Sequence, residues 1–245
     1  MTSDASAVLL VSHGSRDPRA AYIVNELVAA VAGRTGLEVR AAHLGFTAPT
    51  PDVALAHLAD DGFSAVRVVP LLFTPGYHLT HDVPLAIAAS RVTARLDVTV
   101  APALLSDVRP VRSLLLQALI DRLAETQAGA EGHIDALVLA SAGSSSETAR
   151  LPIAGLARDL RHALGVPVMC AFASAVTPSP AHALKALCDN GFQRPAVASL
   201  FVAPGRLPDS VAAACPGVPV ADPLGVSPAF IELLVAQARL LSTTA

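Results

Sequence analysis

The sequence predicts an α/β protein of two similar lobes, each with a mostly parallel four-stranded sheet flanked by helices. Short apolar runs bounded by turn residues alternate with longer helical patterns, which is typical of parallel strands joined by crossover helices. The chain also repeats itself at a single offset of 129 positions. A hydrophobic content of 53% over 245 residues allows a sizeable core in each repeat. We therefore predict one lobe at 1–127 and a second at 134–245.

The internal repeat needs no gap across four separated stretches. The matched stretches are 13–15 with 142–144, 49–51 with 178–180, 61–63 with 190–192, and 75–76 with 204–205. Four histidines of the first copy are replaced in the second: His13, His43, His57 and His78 align with Ala142, Phe172, Ala186 and Leu207. The two copies therefore share the residues of the scaffold, but only the first copy has these four histidines.

The same order of elements is predicted in both halves. The first half has strands predicted at 7–12, 37–42, 65–72 and 97–101, and helices at 19–33, 51–60, 82–95 and 107–125. A linker is predicted at 126–133. The second half has strands predicted at 135–140, 166–171, 195–201 and 218–221, and helices at 147–164, 180–189 and 228–241. Residues 205–218 form a shorter stretch than 76–98, so the helix after position 78 is expected to be cut down in the second copy.

Composition excludes several classes of protein. A net charge of −3 without a basic block argues against a nucleic-acid surface. The first fifteen residues hold an acidic residue and an apolar run of only about five, which predicts neither a signal peptide nor a membrane span. Cys170, Cys188 and Cys215 form no CxxC pair, so we expect a reducing, cytoplasmic compartment and no iron–sulfur cluster. No GxxxxGK[ST] loop is present, so no ATP site is expected.

Three histidines follow three successive predicted strands. His13, His43 and His78 come directly after the first, second and third strand. Ligands of open parallel sheets bind at the carboxyl ends of the strands, so this placement predicts one shared site. His13 alternatively caps a turn, although a cap would be needed in both copies. His43 alternatively packs into the core, as its counterpart Phe172 would.

The segment after the third strand combines a histidine with an acidic residue. His78 precedes a helix whose start is marked by Asp82 and Pro84. Asp82 either caps that helix or accepts a hydrogen bond that orients an imidazole. His81 follows three residues after His78 and is expected to be accessory. The remaining histidines, His57, His133, His162 and His182, are predicted to lie on the surface.

Three stretches together resemble the sirohydrochlorin chelatases of the class II chelatase superfamily, in their long two-lobed form. They are a strand ending in SHGSR, GFTAPTP after the second strand, and PLLFTPGYHLTHDVP after the third. The resemblance covers nearly the whole chain and implies two fused α/β halves. It also implies insertion of Co²⁺ or Fe²⁺ into sirohydrochlorin, on the routes to cobalamin or sirohaem.

The resemblance assigns roles to particular residues. It implies that His13 and His78 are the metal-binding and catalytic histidines, with Asp82 as the aspartate of the family motif G-x-H-x-x-x-D-[IV]-P. Many members carry an acidic residue where Gly45 stands in this sequence. That departure leaves open whether His43 takes the place of the acid.

The chemistry of chelation suits such residues. Placing a divalent metal in a tetrapyrrole removes two N–H protons, and neutral imidazole both accepts protons and ligates borderline cations. Two histidines with water completing the coordination shell fit a transfer site better than a closed four-ligand cage. Imidazole accepts Co²⁺, Fe²⁺ and Ni²⁺ alike, so the sequence does not select the metal.

Sirohydrochlorin carries many carboxylates, so arginines are expected around its site. Arg16 directly follows the HGS turn. Arg206 aligns with Tyr77 across the repeat and is predicted to bind a substrate carboxylate from the second lobe, or else to be an exposed loop arginine. The lobes would then face one another across the tetrapyrrole, and the duplication fits a monomer.

Two other functions remain open. A non-catalytic carrier of tetrapyrrole or metal would keep the same histidines. A histidine phosphotransferase would fit the His-Gly pair, but the arginine that such enzymes place before the histidine is absent.

Overall fold

The computed structural model describes residues 6–90, 96–127 and 133–239. The end of the helix predicted at 82–95, most of the predicted linker and the end of the helix predicted at 228–241 lie outside the described residues. Within the described ranges, no helix is long and apolar enough to cross a membrane. Cys170, Cys188 and Cys215 are free thiols.

The first sheet has four parallel strands: β1 (Ser6–Ser12), β2 (Glu38–His43), β3 (Ala65–Pro70) and β4 (Asp97–Val100). Their spatial order is β2-β1-β3-β4. Residues 7–11 of β1 are fully buried, because a central strand covered on both faces must be apolar throughout. The sheet carries α1 (Pro18–Thr35), α2 (Pro51–Asp60) and α3 (Val83–Ala89).

The second sheet has three parallel strands: β5 (Ala136–Ser141), β6 (Val168–Phe172) and β7 (Pro195–Leu200). Their order is β6-β5-β7, which repeats the β2-β1-β3 core of the first sheet. The helices between and around them are α4 (Val111–Gln127), α5 (Glu147–Leu164), α6 (Pro180–Asp189) and α7 (Arg206–Ala214). The chain ends in α8 (Pro228–Arg239).

The prediction of a fourth strand at 218–221 is wrong in extent. The structure has one parallel bridge between Val197 and Val220, held by hydrogen bonds on either side of Val220. Pro219 has no N–H to donate, and Pro223 follows shortly after, so the segment does not continue as a regular ladder. The helical segment after the third strand is shorter in the second copy, as predicted. It consists of the nine-residue α7, whereas residues 78–89 of the first copy form a π-turn followed by α3.

The ends of the helices follow their predicted signals, with one shift. The bounds of α2, α5 and α6 are as predicted. The Asp17 side chain caps α1 by accepting from the N–H of Arg19, and Gly36 ends that helix in the left-handed conformation. The helix predicted from 107 begins at Val111, because the residue before Pro110 is disfavoured in helical conformation.

The chain forms two compact units that differ from the sequence repeats. One unit comprises Met1–Arg112 with Phe230–Ala245, and the other comprises Ser113–Ala229. The last helix of each repeat is thus assigned to the other unit. In the first unit, Arg67 of β3 donates to the carbonyl of Gln237 in α8. In the second, Arg122 of α4 donates to the carbonyl of Leu224. The lobes at 1–127 and 134–245 stay a prediction about the repeat.

Candidate metal centre

The loops after β1 and β3 bring His13 and His78 into direct contact. Their Nε2 atoms lie 3.1 Å apart, and the rings meet edge to face with centroids 4.4 Å apart. Both side chains are exposed. Two of the three histidines predicted at this edge of the sheet therefore meet, although 65 positions separate them in sequence.

The loop that carries His13 packs tightly against the loop after β2. Gly14 has φ +86°, and a Cβ atom there would lie 1.7 Å from the carbonyl oxygen of Gly45. The Thr47 hydroxyl donates to the carbonyl of Ser15 at 2.9 Å, which ties the two loops together. Only glycine can adopt this positive φ and also lie so close to the backbone of Gly45, because it has no Cβ atom. The loop therefore holds His13 in a fixed place at the edge of the sheet.

The turn after β1 is capped without His13. Asp17 caps α1, and the backbone N–H of Asp17 donates to the hydroxyl of Ser15 at 3.0 Å. The His13 Nδ1 atom lies 3.3 Å from the carbonyl of Gly14, while its Nε2 atom faces His78. The turn-capping interpretation of His13 therefore has no support in the structure.

His78 begins a π-turn, His78–Asp82, that leads directly into α3. The N–H of Val83 donates to the carbonyl of His78 and closes this turn. Such wide turns are rare and occur often at functional sites. Here the turn places the side chains of His78, His81 and Asp82 close together.

Asp82 orients His78 rather than capping a helix. Its side chain makes no capping hydrogen bond, and its Oδ2 atom lies 2.5 Å from His78 Nδ1. The hydrogen bond from His78 is the main cause that lowers the pKa of Asp82 below its usual value. An ionised carboxylate only accepts hydrogen bonds, so His78 donates from Nδ1 to Asp82 and its Nε2 atom faces His13.

The separation of the two imidazoles suits a shared metal ion. Two nitrogens that each lie about 2.1 Å from one ion are about 3.0 Å apart at a right angle and about 3.4 Å apart at the tetrahedral angle. The observed distance of 3.1 Å falls in that range. Across residues 6–90, 96–127 and 133–239, no three His, Cys, Asp or Glu side chains converge on a metal position. A metal held by this pair would therefore keep open coordination positions.

His81 takes a different position from the pair. Its ring stacks on Tyr77, with centroids 4.6 Å apart and an angle of 18° between the planes. Its Nδ1 atom lies 3.3 Å from Asp82 Oδ1. His81 is thus placed beside the orienting carboxylate, which agrees with an accessory role.

His43 lies beneath the site rather than in it. Its side chain is only 5% exposed, and its Nδ1 atom lies 2.7 Å from the hydroxyl of Ser12. That hydroxyl also accepts from the N–H of Gly14 at 3.2 Å. Burial lowers the pKa of His43, which favours the neutral ring. The structure therefore places His43 as a support for the loop of His13, and its predicted contact with substrate remains a prediction.

The buried ring of His43 makes stability depend on pH. Because burial lowers its pKa in the folded state, the unfolded chain takes up this proton first as the pH falls through about 6.5. The free energy of unfolding therefore decreases below that pH. His43→Phe, which copies Phe172 of the second repeat, is expected to reduce the fall in melting temperature between pH 7.5 and 5.5. His57→Ala, on the exposed side of α2, is the control, and an unchanged slope in His43→Phe would contradict this role.

The two predicted arginines occupy different units. Arg16 is exposed, and its guanidinium lies 5.2 Å from the centre of the Phe46 ring. The Phe46 ring in turn stacks loosely on His13, with centroids 6.1 Å apart. Arg206 is the first residue of α7 in the second unit, exposed and without a hydrogen bond or ion pair among the described residues. Arg16 is thus brought to the histidine site through Phe46.

Sequence reasoning missed the aromatic residues of the site. Phe46 contacts His13, and Tyr77 contacts both His78 and His81. The available signal was the repeat itself, because these positions align with Ala175 and Arg206 in the second copy. These two aromatic residues, like His13 and His78, are present in the first copy and replaced in the second.

The fold is an α/β architecture duplicated within one chain, with a histidine pair in the first copy. A family model described as CbiX matches residues 7–126 and 136–240. The chain belongs to the CbiX family. The predicted resemblance to the sirohydrochlorin chelatases is thereby confirmed.

Curated relatives of this chain are named sirohydrochlorin cobaltochelatase. The protein from Methanococcoides burtonii is 31% identical over 83 residues, which are 34% of this chain and 63% of that protein. The protein from Methanococcus maripaludis is 32% identical over 79 residues, 32% of this chain and 55% of that protein. The chain thus spans less than two thirds of the length of these relatives.

Solved structures match over almost the whole chain. SirB from Bacillus subtilis with Fe³⁺ has a TM-score of 0.76 and 19% identity, covering 96% of this chain and 94% of SirB. A structure of CbiX, described as the terminal enzyme of sirohaem biosynthesis in denitrifying bacteria, has a TM-score of 0.68 and 21% identity, covering 97% and 99%. These matches confirm the predicted two-lobed α/β fold.

Proposed function

We propose that this protein inserts a divalent metal ion into sirohydrochlorin. The observation that carries the proposal is the pair of exposed imidazoles, His13 and His78, with Nε2 atoms 3.1 Å apart. Relatives named sirohydrochlorin cobaltochelatase support the substrate, and the SirB structures with Fe³⁺ and with cobalt support the metals. The ion is a substrate that passes through the site, Co²⁺ or Fe²⁺, with Ni²⁺ as a further candidate.

The reaction exchanges one metal ion for two protons. The two inner N–H groups of the macrocycle lose their protons as the ion enters, and each proton needs an acceptor. When the ion leaves the histidines, the Nε2 lone pairs of His13 and His78 become free to accept these protons one at a time, because two imidazolium rings with Nε2 atoms 3.1 Å apart would repel each other. Asp82 stabilises the imidazolium that forms on His78, because a carboxylate 2.5 Å from Nδ1 favours the charged ring. Both protons then pass to water, and no step requires ATP.

A site with two protein ligands favours transfer over storage. Structural metal sites use four protein ligands, whereas sites that exchange or react keep open positions. The macrocycle nitrogens need such open positions, since they must bind the ion before the histidines release it. The exposed pair on one edge of the sheet meets this need.

The hydrogen bond from His78 to Asp82 gives a direct test of the orienting role. Asp82→Asn removes the charge and is expected to weaken Co²⁺ binding about 10- to 100-fold, the usual loss when a carboxylate behind a ligating histidine is removed. The insertion rate should fall with it. Asp189→Asn removes a carboxylate from an exposed ion pair with Lys185 and is the control. Equal Co²⁺ affinities in the two variants would contradict the role of Asp82.

Arg16 and Arg206 are proposed to bind carboxylates of sirohydrochlorin. Each arginine is tested separately for this role. Arg16→Ala and Arg206→Ala are each expected to raise the KM for sirohydrochlorin about 10-fold, as for the loss of one charge-assisted hydrogen bond. Arg161→Ala, at the exposed carboxyl end of α5, is the control. An unchanged KM in Arg206→Ala would leave that residue as a surface arginine.

The enzyme and the carrier differ in one measurable property. Anaerobic absorbance of sirohydrochlorin with Co²⁺ or Fe²⁺ follows formation of the metal complex directly. We expect the protein to raise the insertion rate well above that in buffer, and the ratio of the rates with Co²⁺ and Fe²⁺ ranks the two metals. Binding of the tetrapyrrole without acceleration would favour a non-catalytic carrier instead.

A further inference from the structure

Exposed apolar side chains are present in the loops at the carboxyl edge of the first sheet. Among the described residues, nine large hydrophobic side chains are exposed, and seven of them belong to the first unit. Phe46 and Tyr77 lie in the loops after β2 and β3, and such loops share the carboxyl edge of a parallel sheet. The edge that holds the histidine pair therefore also carries exposed apolar surface.

Two aromatic residues flank the histidine pair. Phe46 is 63% exposed and stacks on His13. Tyr77 is 66% exposed, and its ring lies 6.3 Å from that of His78 in an edge-on arrangement. Each ring thus stands beside one of the two predicted metal ligands, with most of its surface open to solvent.

The second copy shows that the fold does not require these rings. Phe46 has φ +62°, and Ala175 at the equivalent position has φ +69°, so both copies share the same unusual turn. The left-handed conformation is uncommon for a residue other than glycine, and strained for a bulky one. Alanine adopts this turn in the second copy, whereas the first copy has an exposed phenylalanine at the equivalent position. The phenylalanine therefore has a role other than folding the turn.

We propose that Phe46 and Tyr77 form a stacking surface that holds the face of the macrocycle next to His13 and His78. This inference rests on the proposed function and names residues that determine substrate binding. The macrocycle of a tetrapyrrole is flat and conjugated, with its carboxylates at the rim, and aromatic side chains prefer offset or edge-on contact with such a face.

The position of Arg16 fits the same ligand. Its guanidinium lies over Phe46 at 5.2 Å, within the range of a cation–π contact. A carboxylate at the rim of the macrocycle would bind Arg16 while the macrocycle itself contacts the side chain of Phe46. The loop after β2 thus combines with the loop after β1 to match both the apolar face and the charged rim of the substrate.

The test compares variants that remove a ring with variants that keep one. Phe46→Ala and Tyr77→Ala are each expected to raise the Kd for metal-free sirohydrochlorin about 3- to 10-fold, the usual contribution of one aromatic contact. Phe46→Tyr and Tyr77→Phe should stay within about twofold of the wild type. Phe46→Ala reproduces the residue that the second copy uses in this turn, and its melting temperature checks the fold. Phe46→Leu, which keeps an apolar side chain but no ring, should resemble Phe46→Ala.

A second readout separates stacking from metal binding. The Co²⁺ affinity of all five variants should equal that of the wild type, because the rings do not ligate the ion. Alanine variants that bind sirohydrochlorin as the wild type does would overturn the inference, and so would a parallel loss of Co²⁺ affinity, which would show that the rings act through the histidines. A wild-type protein that neither binds nor metallates sirohydrochlorin would instead overturn the proposed function.

Discussion

His13→Ala and His78→Ala are each expected to lower the rate of cobalt insertion into sirohydrochlorin at least about 100-fold. Each change removes a proposed metal ligand and proposed proton acceptor at once, and loss of a positioned proton acceptor alone typically costs about 10²- to 10⁴-fold. The measurement is anaerobic absorbance at equal concentrations of folded protein. The double variant should be little worse than either single variant, because we propose that the two adjacent imidazoles act on the same ion.

The controls for this result come from histidines outside the pair. His133 and His182 are exposed in the second unit, and their replacement by alanine should leave insertion within about twofold of the wild type. Retention of more than a third of the wild-type rate in both His13→Ala and His78→Ala would show that the metal is transferred elsewhere.

Gly14→Ala is expected to damage both stability and activity, although it adds a single methyl group. The added Cβ would lie 1.7 Å from the carbonyl oxygen of Gly45, at φ +86°. Overpacking against backbone and the unfavourable dihedral angle together are expected to lower the free energy of unfolding by about 2–4 kcal/mol. The loop must also move, which displaces His13 from His78, and we expect insertion to fall about 100-fold.

Gly36 provides the matched control for Gly14. It also has a positive φ, +71°, but a Cβ there would meet nothing within 4 Å. Gly36→Ala should therefore lower the free energy of unfolding by only about 1 kcal/mol and leave insertion unchanged. Equal effects of the two substitutions on melting temperature and on insertion would show that the contact with Gly45 does not position His13.

The order of strands and helices could be predicted from the sequence because the spacing of apolar residues follows which side chains are buried. The run that became β1 is buried on both faces, and its sequence is apolar without alternation. The terminal helices could not be assigned to their units in the same way. Arg67 of β3 donates to the carbonyl of Gln237, which is 170 positions away, and no local pattern reveals such a contact.

The structure brings His13 and His78 together as predicted, because topology alone determines their meeting. His13 and His78 follow adjacent parallel strands, β1 and β3, so their meeting required only the rule that such loops share an edge. The direction of the His43 side chain depends instead on which face of β2 it occupies. Sequence left that question open, and the structure places the ring in the interior next to Ser12.

The role of Asp82 depended on a local feature that sequence did not reveal. Before a proline-containing helix, an aspartate predicts a cap as readily as a partner for histidine. The π-turn decides between the two, because it brings the carboxylate to His78 Nδ1 at 2.5 Å. Phe46 was missed for a related reason, since its exposure follows from a left-handed turn that only the backbone shows.

The most direct test of this account is anaerobic titration of the protein with Co²⁺, followed by the visible absorption of the bound ion. We expect one Co²⁺ per chain in the wild type, retained in the His133→Ala and His182→Ala variants. The same ion should be lost in the His13→Ala/His78→Ala double variant at unchanged melting temperature. Binding of one Co²⁺ with wild-type affinity by that double variant would contradict the assignment of the metal to this pair.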